Sequence, residues 1–342
     1  MATTTETIAG YDAATGGLAL FDRSHRTRLT VSGRAPTRML TGVLTGTMPA
    51  PPAEVEPGVF GGRATYHAVL TPKGRMISDL WVALLGDEES VGFLLDVPAA
   101  GRDGLLEHFG RFLPPRFARV EDVSEARGAI SVVGPAAAEA LSKHAFGLRV
   151  DPQWLGGAGE GEWRAAGEPE EGLVAIRTAD VWPPAWTVHG PVRDVTALRT
   201  ALVGEGAVLA DRDAWTTLRV EAGRPAFGVD MNERTLPPEA GIVGRAIDQT
   251  KGCYTGQEVI VRIRDRGHVN RNLRLLELGD APVPASGAEL LATDGGGKVV
   301  GEITSAVRSP RHGGALALAY VRRGVESVLL GDREVEVGRA VG

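Results

Sequence analysis

The chain has 342 residues, of which 43% are apolar and 23% charged, a composition typical of soluble proteins with a packed core. Because single cores rarely grow beyond roughly 250 to 300 residues, this length predicts two or more packed units. The net charge of −6 excludes a protein whose main surface coats nucleic acid, since neutralising phosphates needs an excess of Lys and Arg.

The first residues and the cysteine count predict a cytoplasmic protein. Residues 1–14, which we expect to be flexible, lack the basic start and apolar run of a signal peptide. Nowhere does the chain have the roughly 18 consecutive apolar residues that a membrane-spanning helix needs, so we expect no membrane partner. The single cysteine, Cys253, suits a reducing compartment and excludes an internal disulfide or a four-cysteine metal site. We also expect a monomer.

Residues 15–245 are predicted to form an α+β region of sheets covered by helices. A strand, a glycine, a proline and a helix follow one another at three separate points, and proline at a helix start with glycine after its end is the usual arrangement. Further strands are expected at Tyr66–Leu70 and Asp79–Leu85. In the three strand–glycine–proline–helix units, the strands are Leu29–Ser32, Ile130–Val133 and Trp186–His189, and the helices after them begin near Pro36, Ala137 and Pro191.

Nucleotide binding has no support in this region. No glycine-rich phosphate loop lies between a predicted strand and the helix after it, so a doubly wound nucleotide-binding fold is not favoured. The glycine-rich segment Gln153–Pro169 is instead expected to be a surface loop inserted into the α+β region.

The pattern changes near the C-terminus. Between residues 272 and 342, six short strand-like runs are separated by Gly or Pro, which predicts a small antiparallel barrel. Gly295–Gly297 is expected to form the turn of one of its hairpins.

Residues 246–271 join the two parts and contain the most unusual segment. Cys253 follows Lys251, and Gly252 and Gly256 favour a tight loop that approaches another surface. A positive neighbour such as Lys251 favours the thiolate, the reactive form of cysteine. A small buried hydrophobic residue is the alternative state of a free cysteine, so the pattern alone leaves the role of Cys253 open.

A basic strand is predicted directly after this loop. From Val259 to Arg264 apolar residues alternate with others, which indicates a strand that buries one face and exposes Arg262 and Arg264 on the opposite face. Arginine pairs with carboxylates or phosphates, so an anionic ligand tail, an RNA backbone or neighbouring carboxylates would each satisfy these side chains. The sequence leaves these alternatives open.

The segment Lys251–Glu258, KGCYTGQE, resembles the signature of the YgfZ family, a folate-binding branch related to the T-protein aminomethyltransferase of glycine cleavage. The similarity continues at Phe21–Ser24, Leu218–Gly223 and Phe227–Asp230, and TLPPEAG at Thr235–Gly241 is similar to a T-protein stretch. The resemblance implies an α+β fold with three subdomains in a ring around a central folate channel, the last of them a small antiparallel β-barrel. It also implies tetrahydrofolate as the cofactor.

The resemblance implies the site residues as well. Tyr66, Asp79 and Arg219 match positions that touch folate in the T-protein pattern, and Lys251 and Arg262 are expected to join them in binding the cofactor. A carboxylate suits a pterin because it accepts hydrogen bonds from ring nitrogens or takes a proton near N5, so Asp79 is also expected to be catalytic. Cys253 is the second expected catalytic residue, at the rim of the channel.

One segment departs from the T-protein pattern. Where that pattern has Arg-Thr-Gly-Tyr-Thr-Gly-Glu, whose glutamate grips the pterin, this chain has RTADVW at Arg177–Trp182. Both the tyrosine and the glutamate are missing, which weakens the case for glycine-cleavage activity. Trp182, Trp186 and Asp180 are the candidates to replace them, by stacking or by hydrogen bonding.

Three functions are consistent with this sequence. The leading hypothesis is a protein that binds tetrahydrofolate, with one or several glutamates, and supports assembly or repair of iron–sulfur enzymes, including tRNA-modifying ones, through Cys253. One cysteine cannot hold a cluster alone, so a partner enzyme or assembly factor would share the contact. The alternatives are a folate-dependent aminomethyl or one-carbon transferase or demethylase, in which Asp79 acts at N5, and a folate-binding module without chemistry.

Overall fold

The computed structural model describes residues 5–342, with side chains from residue 8 onward. This part of the chain contains nine α-helices and one short 3₁₀ helix, Ala99–Gly101. The α-helices are α1 (Thr5–Gly16), α2 (Pro36–Thr41), α3 (Arg102–Phe112), α4 (Ala137–His144), α5 (Pro152–Gly157), α6 (Val192–Gly204), α7 (Arg212–Glu221), α8 (Val243–Ala246) and α9 (Gln257–Arg266).

The same residues contain nineteen β-strands. They are β1 (Ala19–Asp22), β2 (Thr27–Ser32), β3 (Ala53–Glu56), β4 (Val59–Arg63), β5 (Thr65–Leu70), β6 (Met76–Leu84), β7 (Phe93–Val97), β8 (Arg119–Asp122), β9 (Arg127–Val133), β10 (Glu162–Ala166), β11 (Val174–Thr178), β12 (Ala185–Pro191), β13 (Val208–Ala210), β14 (Arg271–Gly279), β15 (Glu289–Ala292), β16 (Val299–Ser309), β17 (Gly314–Arg322), β18 (Ser327–Leu330) and β19 (Arg333–Glu336).

Two sheets form the larger, N-terminal part of the molecule. One has eight strands in the order β13-β1-β9-β12-β11-β10-β4-β3, and the other has five in the order β5-β6-β7-β2-β8. The chain crosses from one sheet to the other repeatedly, since β1, β3, β4 and β9 belong to the first and β2 and β5 to β8 belong to the second. These crossings hold the two sheets side by side.

Each sheet packs one face against helices. In the five-stranded sheet Leu80 and Phe93 share an apolar core with Phe109 of α3. In the eight-stranded sheet Val188 packs in a core that includes Leu198 of α6. These pairings follow from the alternation of side chains along a strand and the apolar stripe of an amphipathic helix.

A further core lies between the two sheets. It joins Tyr66 and Trp81 of the five-stranded sheet with Trp163 and Ile176 of the eight-stranded sheet. The polar ends of Tyr66 and Trp81 point out of this core, which positions them for the site described below.

The C-terminal residues form the predicted barrel-like sheet. Six strands pair antiparallel in the order β14-β17-β16-β15-β18-β19. The turn between β15 and β16 has Gly295 and Gly297 at positive φ, 76° and 62°, a backbone region that favours glycine. The α+β fold with a C-terminal antiparallel barrel is therefore as predicted.

Two predictions about the N-terminal part need correction. Residues 1–4 of the segment expected to be flexible lie outside the described residues, but from Thr5 the chain is helical, and Tyr11 and Ala14 are buried. The Gln153–Pro169 segment is not an inserted loop. It contains α5 and the central strand β10, whose Trp163 is one of the largest fully buried side chains, because one tryptophan buries enough apolar area to anchor a glycine-rich segment.

The prediction of a strand from Val259 to Arg264 is wrong, because these residues belong to helix α9. Gly256 before the helix has φ 84°, a left-handed turn that redirects the chain, and Gly267 follows the helix as its C-cap. Val259–Ile263 is apolar at spacings of both two and three residues, so alternation alone could not separate a helix from a strand.

No helix among residues 5–342 has the length and apolar character needed to cross a membrane.

Candidate functional site

A cavity of about 570 Å³ lies between the two N-terminal sheets and α7. Side chains from the end of β1 and the loop after it, from β5 and β6, from α7 and α8, and from the segment 224–229 form its walls. The lining residues that matter for its chemistry are Arg23, His25, Arg26, Tyr66, Asp79, Trp81, Asp180, Arg212, Arg219 and Arg245.

Strands β5 and β6 direct three of these side chains to one face. Tyr66 pairs with Trp81 across the strands, and Asp79 lies two residues before Trp81, so all three point to the same side of the sheet. The Tyr66 hydroxyl donates a hydrogen bond of 2.5 Å to Asp79 Oδ2, and the Tyr66 and Trp81 ring centroids are 5.6 Å apart. The structure thus brings together Tyr66 and Asp79, both expected to contact the cofactor.

A second carboxylate, Asp180, lies in the same cavity after the end of β11. Its Oδ1 atom accepts a hydrogen bond of 2.6 Å from Arg245, and its Oδ2 atom accepts one of 3.2 Å from the Trp81 indole. Arg245 Nε donates to Glu160 at 2.7 Å, and its guanidinium lies 4.4 Å from the centroid of the Tyr66 ring. Arg245 therefore ties Asp180 to the aromatic wall.

The pKa values of Asp79 and Asp180 are shifted in opposite directions. Burial raises the pKa of Asp79 above its ordinary value, and its hydrogen bond from Tyr66 offsets only part of this effect. Burial opposes ionisation of Asp180 as well, but the Arg245 guanidinium outweighs it and holds the pKa of Asp180 below its ordinary value. Asp79 is thus suited to take up and release a proton, whereas Asp180 is a fixed negative charge.

Arginine side chains also line the cavity. Arg23 lies over the Trp215 ring, 4.0 Å from its centroid, and burial lowers its pKa only to about 10, so it stays charged at neutral pH. The exposed side chains of Asp22, His25 and Arg212 line its opening. Burial, together with the nearby Arg23, lowers the pKa of His25 to about 4, so this ring is neutral at pH 7. The cavity therefore places buried arginine side chains beside its buried carboxylates.

Arg219, predicted to contact the cofactor, lines the cavity but is committed to an internal network. Its NH1 group lies 2.5 Å from Asp230 Oδ2, and its NH2 group donates to Ser305 of β16 at 2.8 Å. Asp230 also accepts a hydrogen bond of 2.7 Å from Ser305. The arginine and aspartate side chains are only 7% and 0% exposed, and their hydrogen bonds to Ser305 join α7 to the C-terminal barrel.

Lys251 lies away from this cavity. Its ammonium group donates hydrogen bonds to the backbone oxygens of Leu44 and Gly46, at 2.7 and 3.0 Å, and so anchors the loop to the chain after α2. Burial lowers the pKa of Lys251 to about 8. Lys251 is thus a fixed structural cation and is not one of the residues that line the cavity.

Cys253 and Arg262 are both on the surface and do not line the cavity. The Cys253 thiol is free and exposed, as predicted. Arg262 is exposed on α9. The same helix lines an apolar groove of about 180 Å³ with Ile260 and Ile263 among others, but Arg262 is not one of its lining residues. The predicted set of cofactor residues is therefore divided between two regions.

A second cavity, of about 580 Å³, lies on the other side of the aromatic wall. Tyr66, Trp81 and Arg245 line both cavities, so they form the partition between them. The loop that carries Cys253 contributes Asp248 to this second cavity. In sequence, Cys253 is therefore nearer to Asp248 of the second cavity than to Arg245, the nearest residue that lines the first.

The candidates for replacing the missing pterin-binding residues have different positions. Asp180 lines the cavity. Trp186 is 1% exposed in the core beneath the eight-stranded sheet, and Trp182 is 39% exposed with the Arg311 guanidinium over its ring, so neither lines the cavity. Of these three candidates, only Asp180 can therefore contact a ligand in the cavity.

Sequence reasoning missed Arg23, Trp81 and Arg245. Arg23 lies in Phe21–Ser24, one of the segments that carry the family resemblance. Trp81 follows Asp79 by two residues in a predicted strand, and this spacing could have indicated that the two side chains lie on the same face. Arg245 gave no signal, because its partners Glu160 and Asp180 are far from it in sequence.

Comparison with known proteins agrees with this architecture. A model of the GCVT N-terminal domain matches residues 4–251, and a model of the glycine cleavage T-protein C-terminal barrel domain matches residues 271–341. The chain belongs to the glycine cleavage T-protein family. Among its relatives, an aminomethyltransferase of Corynebacterium jeikeium is 30% identical over 93% of this chain and 82% of its own length. An aminomethyltransferase of Rubrobacter xylanophilus is 30% identical over 96% and 83%.

A solved structure of a T-protein family member has the same fold. The glycine cleavage system aminomethyltransferase T from Bartonella henselae superposes with a TM-score of 0.79 over 97% of this chain and 88% of that chain, at 19% identity. Aminomethyltransferases of the T-protein family use tetrahydrofolate, in agreement with the cofactor expected from the sequence. These relatives are named aminomethyltransferases and are not named for iron–sulfur assembly, so they favour the transferase alternative over the leading hypothesis from the sequence.

Proposed function

We propose that this T-protein family member binds tetrahydrofolate in the 570 Å³ cavity and transfers a one-carbon unit to it from an aminomethyl donor. The observation that carries the proposal is the buried Asp79 carboxyl, hydrogen-bonded by Tyr66 and lining a cavity that holds both carboxylates and arginines. The names of the relatives support the same reaction class.

The polarity of the cavity fits tetrahydrofolate from end to end. The pterin head is flat and carries N–H donors, which suit the Tyr66 and Trp81 rings and the carboxylates of Asp79 and Asp180. The glutamate tail carries carboxylates, which suit the arginines that line the same cavity, Arg23 among them.

Asp79 is the residue that we expect to handle the proton. Transfer of the carbon of an aminomethyl donor, X–CH2–NH2, to tetrahydrofolate gives 5,10-methylenetetrahydrofolate, ammonia and the freed carrier X–H. Of the two protons that N5 and N10 lose, one goes to the leaving amine and the other to the carrier. Asp79, with its raised pKa, is suited to accept a proton from N5 and to pass it on to the leaving amine. The Tyr66 hydroxyl fixes the carboxyl by donating to one of its oxygens.

Transfer can be tested with the purified protein. We expect incubation with tetrahydrofolate and an aminomethyl donor to yield 5,10-methylenetetrahydrofolate, measured by coupling its oxidation to a change in absorbance. Asp79→Asn is the matched variant, since it keeps the shape of the side chain and removes the proton acceptor. Absence of product above the no-enzyme background would reject transferase activity.

A second candidate function uses the surface around Cys253. The exposed thiol, the apolar groove on α9 and the exposed Arg262 together suit a protein partner. In this alternative, folate binding remains in the cavity and Cys253 supports assembly or repair of an iron–sulfur enzyme, as the likeness of KGCYTGQE to the YgfZ signature implies.

The two candidate functions predict different effects of replacing Cys253. Cells that carry Cys253→Ala are expected to lose activity of a cluster-dependent tRNA methylthiotransferase if the thiol acts there, whereas transfer to folate in vitro should be unchanged. Cys253→Ser is the control for side-chain size. Full methylthiotransferase activity with Cys253→Ala would remove the iron–sulfur role.

The third alternative, folate binding without chemistry, requires a particular combination of results. Tetrahydrofolate would bind, no methylene product would form, and cells with Cys253→Ala would behave as wild type.

A further inference from the structure

We propose that Arg26, fixed by Asp96, is a positioning residue of the reaction that acts through Asp79, because its charge keeps the Asp79 carboxyl in the form that accepts a proton. The inference rests on the proposed function, since it concerns the same carboxyl, but the state of that carboxyl can be measured without folate. Arg26 lines the cavity and belongs to no motif that indicated such a role.

The register of the five-stranded sheet places Asp79 and Asp96 near each other. Tyr66 of β5 lies opposite Trp81 of β6, and Trp81 lies opposite Asp96 of β7, so these side chains share one face of the sheet. Asp79 precedes Trp81 by two residues and points to the same face, which makes it a diagonal neighbour of Asp96. Diagonal neighbours in an antiparallel pair are about 7–8 Å apart. A group bound to Asp96 can therefore reach the surroundings of Asp79.

Arg26 is the group bound to Asp96. Its Nε atom donates a hydrogen bond of 2.7 Å to Asp96 Oδ1, and its Nη2 atom donates one of 3.1 Å to the Asp96 backbone oxygen. The Arg26 and Asp96 side chains are only 15% and 8% exposed, so little water screens their charges. Two hydrogen bonds to one residue thus fix the orientation of the guanidinium.

This ion pair presents its positive end to the cavity. Arg26 lines the cavity together with Asp79, whereas Asp96 is not one of the lining residues. Within residues 8–342, the third guanidinium nitrogen, Nη1, has no hydrogen-bond partner. The charge of Arg26 therefore acts on Asp79 more strongly than the charge of the carboxylate behind it.

The other groups that act on Asp79 do not replace Arg26. Burial raises the pKa of Asp79, and the hydrogen bond from Tyr66 and the charge of Arg26 both oppose this effect. Asp180 and Arg245 shift the pKa of Asp79 in opposite directions. Because a hydrogen bond of 2.6 Å joins Asp180 to Arg245, their effects on Asp79 largely cancel.

The remaining charged groups of the cavity have other partners or are exposed. Arg219 is paired with an aspartate, and Arg224 donates to a backbone oxygen at 2.9 Å. Arg23 stacks on an indole, and Asp211 accepts a hydrogen bond at the start of α7. Water screens the exposed groups at the opening, which are Asp22, His25 and Arg212.

The test is a titration of the Asp79 carboxyl by carbon-13 NMR, in folate-free protein with labelled aspartate and with Asp79→Asn to assign the signal. Arg26→Gln keeps a hydrogen-bond donor for Asp96 but removes the charge, so the Asp79 midpoint should rise by about one pH unit or more, as expected when a nearby opposite charge is lost. Arg26→Lys keeps the charge and should restore most of the wild-type midpoint. An unchanged midpoint in Arg26→Gln would overturn the proposal.

A substitution of the partner should have the opposite effect. Asp96→Asn removes the carboxylate that offsets Arg26, so the Asp79 midpoint should fall below that of wild type. A merely structural role would loosen the packing in both variants and move both midpoints in the same direction. If Arg26→Gln does not fold, Asp96→Asn still decides, since an unchanged or raised midpoint would overturn the proposal. Arg322→Met, an exposed arginine of β17, is the control and should titrate as wild type does.

Turnover separates this proposal from the proposed function. In Arg26→Gln the acid limb of the pH profile should move up by the same interval, with little change at high pH, where Asp79 is ionised in both proteins. The expected NMR shifts in a protein that forms no methylenetetrahydrofolate would reject the proposed function and the catalytic role of Arg26, but not its effect on the carboxyl. Unchanged titrations beside normal wild-type turnover would overturn the role of Arg26 and leave the proposed function intact.

Discussion

The cavity and the surface around Cys253 present their charged groups in opposite ways. In the cavity, Asp79, Asp180 and Arg219 are each bound to a partner inside the protein. On α9, Arg262 is exposed and has no hydrogen-bond or ion-pair partner in the part of the chain that the structure describes, and Cys253 is a free thiol. The first arrangement orients groups toward a small enclosed ligand, and the second leaves them available to a large external one.

This difference indicates which substitutions the cavity and the surface around Cys253 should each tolerate. Removing a buried, partnered charge leaves its partner unsatisfied and costs stability or activity, whereas removing an exposed, unpartnered one costs little unless a partner molecule uses it. The predictions below test this contrast in order of decreasing effect.

The largest effect is expected at Asp79. If Asp79 carries the proton, Asp79→Asn should lower the turnover number for methylenetetrahydrofolate formation by at least about 100-fold, the lower range for loss of an acid–base group. Wild-type turnover should fall as the pH drops through the raised pKa of Asp79, because protonated Asp79 cannot accept a proton. A pH profile that is identical in the two proteins would separate Asp79 from the reaction.

Arg219→Met should produce the next largest effect, on stability. The substitution leaves Asp230 buried without its arginine, so we expect the free energy of unfolding in urea to fall by about 3–5 kcal/mol. Arg322→Met, an exposed arginine on β17, is the control and should change this free energy by less than about 0.5 kcal/mol. Equal effects of the two substitutions would mean that the Arg219–Asp230 pair does not hold the barrel to α7.

Lys251 should give a smaller, pH-dependent effect. Its pKa in the folded protein is about 8, against an ordinary value of 10.5, so between these values the unfolded chain binds a proton that the folded chain does not. Its contribution to the free energy of unfolding therefore rises with pH across this window. Lys251→Met should lack the rise, so its deficit relative to wild type should grow from pH 8 to 10.5; a constant deficit would contradict the burial of the ammonium.

The smallest effects on folate are expected at Arg262 and Cys253. Neither lines the cavity, so Arg262→Ala and Cys253→Ala should each change the dissociation constant of mono- or polyglutamyl tetrahydrofolate by less than about 2-fold, and stability by less than about 0.5 kcal/mol. A loss of affinity confined to the polyglutamyl form in Arg262→Ala would instead connect the α9 surface with the folate tail.

The sequence was informative where a short motif or a strong period determines structure. The six C-terminal strands and the exposed Cys253 were predicted from runs, turns and a signature, and Tyr66 and Asp79 were indicated by family resemblance. The two-residue alternation over Val259–Arg264 predicted a strand, and this prediction was wrong, because the left-handed turn at Gly256 and the packing of Ile260 favour a helix there.

The rest of the site depends on contacts between distant segments. Arg245 meets Asp180 and Glu160 across 65 and 85 residues of sequence, and no local pattern encodes such a contact. Lys251 was predicted to act beside Cys253 from adjacency alone, but its long side chain reaches back to the backbone oxygens of Leu44 and Gly46. Adjacency in sequence does not determine where a flexible side chain ends.

The central claim, a pterin in the cavity beside Asp79, is tested most directly by a crystal structure of the protein with bound tetrahydrofolate. We predict that the pterin ring lies against Tyr66 and Trp81 with N5 on the side of the Asp79 carboxyl, and that the glutamate carboxylates lie near Arg23. A pterin bound outside this cavity, or a glutamate tail pointing inward to Asp79, would contradict the account.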